Sequence, residues 1–187
     1  MRRTLALSSA LVFAMTAIAC GGDTAEEAPP VVETAPAPAS AAMDWVTADT
    51  TAKTVTITLV AGQDAANNNW NFNGHANGNA TVTVPTGYAV TINFSNNDPN
   101  MTHSAGVVAK PAGPWSATPD ATPVFAGAVT SNPTSMTDAT KNGASETITF
   151  TAATAGEYAL ACFVPGHATS GMWINLTVAD GATAGAM

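Results

Sequence analysis

Residues 156–178 read GEYALACFVPGHATSGMWINLTV, and this stretch decides the fold. Its two ends, 156–162 and 173–178, are short, rich in apolar and β-branched residues, and predict two β-strands. The loop between them carries Cys162, His167 and Met172 in the spacing C-x4-H-x4-M. A loop that closes between two adjacent strands can fold over one point, so the spacing predicts that all three side chains meet at one end of a sheet.

The rest of the region from Met43 onward also has the pattern of an all-β domain. Thr alternates with Val, Ile or Leu, turn residues separate the segments, and no long segment has the helical period. Such short, regularly spaced strands indicate an antiparallel sandwich or barrel. The further predicted strands are 53–60, 81–84, 88–94, 103–108, 147–150 and a short one near 124–126, inside an irregular, proline-rich excursion.

The donor atoms on this frame point to copper. One Cys, two His and a weak Met form the ligand set of a blue copper electron-transfer site. Cys162, His167 and Met172 supply three of these ligands, and His103, at the start of an upstream strand, supplies the second imidazole. A lone His or Met in a β domain is more often a packing or surface residue, so the prediction depends on all four occurring together.

The first residues resemble a bacterial export signal. Arg2 and Arg3 precede an apolar stretch that is too short for an ordinary membrane span. Small residues before Cys20 resemble a lipobox, which predicts a signal peptide over 1–19 and a lipid on Cys20. An ordinary signal peptide with a Cys near its cleavage site is the alternative. With Cys20 lipidated, Cys162 is the one free thiol, and metal coordination would protect it in an oxidising compartment.

Three further segments complete the predicted organisation. Residues 20–42 are rich in Ala, Pro and acidic residues and predict a flexible tether that cannot bury enough surface to fold. Residues 43–180 form one domain of ordinary size. Residues 181–187 read as a loose C-terminal tail.

The net charge of the chain indicates which classes of binding partner are favoured or excluded. The 187 residues carry a formal net charge of −8, and removal of Arg2 and Arg3 leaves three lysines against thirteen carboxylates, a net charge of −10. A nucleic-acid partner is excluded because phosphate binding needs clustered basic residues. The acidic surface favours a partner with a basic docking face.

The ligand loop carries a family resemblance. The pattern C-x-x-P-G-H-A-x-x-G-M followed by an aromatic, over 162–173, resembles the C-terminal ligand loop of the cupredoxins, and it is most similar to the sulfocyanin and rusticyanin branch. Residues 71–74 and 80–94 and the pair His103-Ser104 also resemble that branch. The resemblance implies a Greek-key β-sandwich, one type 1 copper ion held by His103, Cys162, His167 and Met172, and an electron port where the His167 ring reaches an apolar surface. Ser104 and Trp173 are predicted to lie beside the ligands.

The resulting hypothesis is a lipid-anchored blue copper protein that carries electrons between redox proteins such as a cytochrome or a terminal oxidase. It would lie in the cell envelope, on the outer face of the cytoplasmic membrane or in the periplasm. A copper carrier without an electron-transfer role is the alternative. A multicopper enzyme is disfavoured because the chain has only three His, and the third, His75, is expected to be an exposed loop residue.

Overall fold

The structure is a computed structural model that describes residues 43–187. The predicted signal peptide, Cys20 and the tether lie outside the described residues, so they stay predictions. Within residues 43–187, no helix is long and apolar enough to cross a membrane.

The described part of the chain contains nine strands and one short 3-10 segment, joined by loops. The strands are β1 (Val46–Asp49), β2 (Thr54–Ala61), β3 (Thr81–Pro85), β4 (Ala89–Asn96), β5 (Gly106–Ala109), β6 (Ser145–Thr151), β7 (Gly156–Ala161), β8 (Trp173–Ala179) and β9 (Gly185–Ala186), and the 3-10 segment covers Ala66–Asn69.

The strands form two sheets, in the orders β1-β2-β4-β6 and β5-β7-β8-β3-β9. The all-β sandwich is therefore confirmed, but the expectation of purely antiparallel pairing is wrong. β2 pairs with β4 and β3 pairs with β8 in parallel. The reason is topological: β3 belongs to the second sheet and lies between β2 and β4 in sequence. The chain thus leaves the first sheet and returns in its original direction, and a hairpin connection cannot produce that arrangement.

Strict alternation along the strands builds the core between the sheets. In β2 and β4 every second residue is buried, with Ile57, Leu59, Ile92 and Phe94 fully enclosed. In β8 the same alternation buries Ile174, Leu176 and Val178 from the other side. Each of these side chains contributes about 1.5–3 kcal/mol when removed from water. The alternation seen in the sequence thus decides which face of each strand meets the other sheet.

The end of the chain is not a loose tail. Residues Gly185 and Ala186 form β9, which pairs antiparallel with β3, and Ala186 is buried. Backbone hydrogen bonds of 2.7 and 3.0 Å join Thr81 and Met187 in both directions. Ala186 also bridges Met43, so the start and the end of the described region meet at this edge. The small residues of 181–187 carry no strand pattern of their own, and the unpaired edge of β3 supplies the partner.

The excursion between β5 and β6 contains none of the nine strands, so the predicted strand near 124–126 is wrong. Phe125 is nevertheless anchored in the core, where it stacks on Phe150 at 5.4 Å and meets Tyr158 edge-on at 5.0 Å. Its aromatic burial acts together with backbone hydrogen bonds to β5, from the Val124 amide to the Val107 carbonyl and from the Val107 amide to the Ala128 carbonyl.

Candidate metal centre

Strand pairing brings His103 and Cys162 together. β5 pairs with β7 so that Gly106 faces Ala161, and the residues just before Gly106 therefore run beside Cys162. The backbone amide of His103 donates to the carbonyl of Thr140 at 3.0 Å, which holds this segment from the other side. The predicted strand 103–108 begins only at Gly106, so His103 lies on a short connecting segment rather than within the strand.

The ligand loop closes on itself through backbone hydrogen bonds. The Met172 amide donates to the His167 carbonyl at 2.9 Å, and the Cys162 amide donates to the Met172 carbonyl at 3.1 Å. Gly171 is required here for two reasons: its φ is +98°, and a Cβ on it would lie 2.4 Å from the Asn77 amide oxygen. The spacing C-x4-H-x4-M thus corresponds to one compact turn between β7 and β8.

Three potential ligand atoms converge at this end of the sandwich. His103 Nδ1 lies 3.1 Å from His167 Nδ1 and 3.9 Å from Cys162 Sγ, and His167 Nδ1 lies 3.4 Å from the same sulfur. All three residues are buried. Met172 is also fully buried, and its backbone is bonded to both His167 and Cys162 as described above.

Burial shapes the proton affinities of the cluster. Desolvation lowers the pKa of His103, although the nearby Asp98 carboxylate opposes the shift. Desolvation, together with repulsion from His103, lowers the pKa of His167 to about 4. Desolvation raises the pKa of the Cys162 thiol against the hydrogen bonds that it accepts. In the copper-free protein both imidazoles are therefore neutral near pH 7, which leaves each ring one nitrogen lone pair for a metal.

Ser104 contacts the sulfur, as predicted for a residue beside the ligands. Its backbone amide donates to Cys162 Sγ at 3.4 Å, and its hydroxyl lies 3.6 Å from the same atom. The hydroxyl oxygen also accepts from the amide of Phe163 at 2.9 Å. Ser104 therefore ties the segment after His103 to the first residues of the ligand loop.

Trp173 packs away from the interior of the sandwich. β8 alternates, so Trp173 is half-buried on the outer face while Ile174 points into the core. Its ring belongs to a small outer cluster with Phe163 and lies 5.8 Å from the ring of Trp115. Trp173 was predicted to lie beside the ligands. Its backbone follows Met172 directly, but its ring lies in the outer cluster.

His167 does not reach the surface. The residue is 1% exposed, and the ring of Trp70 stacks on its imidazole with centroids 4.2 Å apart and planes inclined by 23°. The expectation that the ring edge of His167 forms the surface port is wrong in this respect. Trp70 is held over the ring by its own loop, because the Asn67 side-chain amide donates both to the Trp70 carbonyl and to the Ser170 carbonyl.

The residues present fit a copper ion. Bonds of 2.0–2.3 Å to one ion in a trigonal plane would leave donor atoms roughly 3.6 Å apart, and the three observed separations are 3.1, 3.4 and 3.9 Å. One thiol and two imidazoles, with a thioether in the same loop, are the softness and number of ligands that a blue copper site uses. His75 lies in a tight turn with Phe72, is partly exposed and is outside this group.

Two residues at the site escaped sequence reasoning, namely Trp70 and Asp98. Asp98 bonds to His103, and its signal was a carboxylate five residues before a candidate ligand, within a stretch that otherwise reads as a turn. Trp70 had no distinguishing signal, because an aromatic residue in an Asn-rich loop is more often simple packing.

Two facing sheets with a buried Cys and two His at one end define the cupredoxin class of β-sandwich proteins. Within that class, the sulfocyanin (SoxE) domain family matches residues 41–186, and the chain belongs to this family.

Two relatives agree with this assignment. The chain is 31% identical over 135 residues to sulfocyanin of Sulfolobus acidocaldarius, which covers 71% of this chain and 67% of that protein. It is 32% identical over 108 residues to rusticyanin of Acidithiobacillus ferrooxidans, which covers 57% of this chain and 65% of that protein. The protein therefore uses one type 1 copper ion and functions in electron transfer.

Solved structures similar to this chain include rusticyanin and auracyanin. A rusticyanin from Thiobacillus ferrooxidans at 1.27 Å is 25% identical, with a TM-score of 0.45 over 67% of this chain and 82% of that one. Reduced auracyanin from Roseiflexus castenholzii is 28% identical, with a TM-score of 0.44 over 66% of this chain and 95% of that one.

Proposed function

We propose that this protein is a membrane-tethered blue copper carrier of the cell envelope, in which His103, Cys162, His167 and Met172 hold the ion. The observation that supports the proposal is the convergence of one buried thiol and two buried imidazoles within 3.9 Å. Bound copper supplies one-electron chemistry by cycling between Cu(I) and Cu(II). The signal peptide and the lipid on Cys20 supply the tether in this proposal, and residues 43–180 are the electron-carrying domain.

The chain's own residues prepare the site for this role. The sandwich ends hold the donors close together before metal arrives, which keeps rearrangement between the two oxidation states small. Burial excludes water from Cys162 and from both imidazoles. Cys162 would hold the ion as its thiolate, with its proton released to solvent, because only the thiolate is a strong ligand.

We infer that electrons leave through the face that Trp70 covers. Trp70 is the partly exposed residue that stacks directly on His167, so a partner that touches its ring comes within one aromatic layer of the site. The three loops that surround the site, 65–79, 99–105 and 162–173, contain no Asp, Glu, Lys or Arg. Asp64 and the buried Asp98 lie directly before two of these segments, but the segments themselves add no charge to the face. The redox partner, such as a cytochrome or a terminal oxidase, therefore meets this face with an uncharged surface rather than with the basic one that composition suggested.

The copper spectrum of the full chain tests the function. An intense blue absorption band, which Cys162→Ser abolishes and His75→Ala leaves unchanged, is expected for a thiolate-bound electron carrier. Rapid, reversible oxidation and reduction by one-electron reagents should accompany the band. A colourless Cu(II) complex in the wild-type protein would instead favour the copper carrier without an electron-transfer role.

A further inference from the structure

Asp98 is a buried carboxylate at the rear of the site. It is 1% exposed and is the one Asp, Glu, Lys or Arg among residues 43–187 that is fully buried. One carboxylate oxygen, Oδ2, lies 2.8 Å from His103 Nε2, and the other, Oδ1, accepts from the amide of Asn100 at 2.9 Å. Burial of a carboxylate costs free energy unless it is paired and hydrogen-bonded. A buried carboxylate at this position therefore indicates a role for its contact with His103.

The surrounding backbone holds Asp98 firmly. The Asn96 side-chain oxygen accepts from the Asp98 amide at 2.8 Å, and the Asn97 amide donates to the carbonyl of Ala61 at 2.9 Å. Gly62, with φ of +64°, lies so close that a Cβ on it would be 2.7–2.9 Å from Asp98 atoms. Asp98 therefore has little freedom to turn away from His103.

The contact decides how His103 presents its nitrogens. The carboxylate oxygen 2.8 Å from His103 Nε2 is placed to accept a hydrogen bond, and we assign the ring proton to Nε2 on this contact. Nδ1 is then left with a lone pair, and it is the atom that faces Cys162 Sγ and His167 Nδ1. The two imidazoles of the site are unequal as a result, because a carboxylate backs His103 whereas an aromatic ring covers His167.

We propose that Asp98 is a positioning residue that fixes the tautomer and ring orientation of His103 and shifts the copper site toward Cu(II). The inference rests on the proposed role of His103 as a ligand. A carboxylate that accepts from the far nitrogen of a ligating His orients the ring and makes the ligand more basic. A more basic nitrogen favours the more highly charged ion, so Asp98 lowers the reduction potential relative to an uncharged residue in its place.

Three full-length variants test the role of Asp98. Asp98→Asn keeps the shape and an acceptor oxygen but removes the charge, and Asp98→Ala removes both. Asp138→Asn is the matched control, since it removes one carboxylate whose side chain is 69% exposed. Loss of such a partner typically costs about 10–100-fold in metal affinity. We expect Asp98→Asn to lose Cu(II) affinity by at least tenfold more than Cu(I) affinity, which corresponds to a potential about 59 mV higher for a one-electron couple. Asp138→Asn should leave both properties unchanged.

A measurement on the copper-free protein separates this inference from the proposed function. Nitrogen NMR of the His103 ring should show a protonated Nε2 in the wild-type protein and a loss of that preference in Asp98→Ala. The same tautomer in both would overturn the positioning role, as would equal potentials for Asp98→Asn and Asp138→Asn. Failure of the wild-type protein to form a blue site would instead refute the proposed function. The two failures can be told apart because the tautomer is measured on the copper-free protein.

Discussion

Individual side chains set the properties of the site. Cys162 combines full burial with two hydrogen-bonding contacts from Ser104, so its sulfur has a defined direction before any metal is bound. The thioether of Met172 and the ring of Trp70 differ from this thiol in kind. Met172 offers a weak thioether donor, and Trp70 covers the His167 ring by stacking on it. Their effects should therefore fall on the reduction potential rather than on the presence of copper.

Met172→Leu should keep copper and raise the reduction potential. Leucine has a similar volume but no sulfur lone pair, so the more highly charged Cu(II) state would lose a weak donor. Protein-film voltammetry measures the shift, and the exposed Met136→Leu is the matched control. Complete loss of copper from Met172→Leu would contradict the assignment of Met172 as a weak ligand.

Trp70→Ala should lower the reduction potential. Removal of the ring that stacks on His167 lets water approach the imidazole, and a more polar surrounding stabilises the more highly charged Cu(II) state. Trp70→Phe retains an aromatic cover and should stay close to the wild-type value. The interpretation fails if both variants shift the potential equally, since loss of cover would then not be the cause.

Among the elements, the loop from Gly62 to Asn79 supports the site from the side. Its backbone turns through five Asn residues with positive φ, namely Asn67, Asn68, Asn69, Asn73 and Asn77. Asn tolerates this conformation better than most residues, and the side chains then bond to neighbouring backbone groups. The loop also joins the ligand loop directly, because the Asn77 amide donates to the Gly171 carbonyl at 2.7 Å. The position of Trp70 therefore depends on the hydrogen bonds of this loop.

Asn71→Ala should destabilise the protein by about 1–3 kcal/mol, the usual cost of leaving buried polar groups without partners. Asn71 is fully buried, donates to the carbonyls of Asp64 and Ala66, and accepts from the amides of Gln63 and Gly74. Denaturant unfolding of the copper-free protein measures the loss. Asn142→Ala, at an exposed position, should change the free energy of unfolding by less than about 0.5 kcal/mol. Equal losses in the two variants would show that the Asn71 contacts do not hold the loop.

Across the whole molecule, most of the charge lies outside the segments that surround the site. The described region holds nine carboxylates and three lysines, yet none of them lies in 65–79, 99–105 or 162–173. Surface charges farther away than about one Debye length, 8–10 Å at moderate salt, act weakly on a partner at this face. For the proposed docking face, the net charge is therefore expected to contribute little to steering the partner.

Electron self-exchange between oxidised and reduced protein should depend weakly on salt. We expect less than about a tenfold change between low and high salt, against 10–10³-fold for electrostatically steered association. NMR line broadening measures the rate. Ser170→Asp places a charge on the exposed ligand loop and should introduce a strong dependence, whereas Asn142→Asp should not. A strong dependence in the wild-type protein would mean that the overall charge controls the encounter.

The copper-free protein should lose stability as the pH falls from 7 toward 4. The folded-state pKa of His167 is about 4 and that of His103 is also lowered, whereas an unfolded His titrates near 6.5. The unfolded state therefore binds more protons in this range, and each buried His contributes a slope of up to about 1.4 kcal/mol per pH unit. Denaturant midpoints at several pH values give the slope. A flat profile between pH 7 and 5 would refute the neutral, buried state of both imidazoles.

Most strands and the cluster of one Cys with two His were predictable because both depend largely on local patterns. Alternation between Thr and branched apolar residues marked β2, β4 and β8 to within one or two residues. The spacing from Cys162 to Met172 placed three of the potential ligands on one turn, since a short loop between paired strands has few ways to close. β1 and β9 escaped prediction, because their short, weakly patterned segments become strands only where a neighbouring edge is free.

Sequence alone was enough to predict the all-β class and the candidate donor set, because both follow from residue type and short-range spacing. Only the tertiary structure decided the parallel pairing of β2 with β4, the cover of Trp70 over His167 and the bond from Asp98 to His103. The two pairs that involve the ligands show the reason. Trp70 and His167 are 97 positions apart, so no local pattern records their contact. Asp98 and His103 are close in sequence, but a turn-forming stretch does not record whether its carboxylate lies against the ring or in solvent; the fold buries it against the ring.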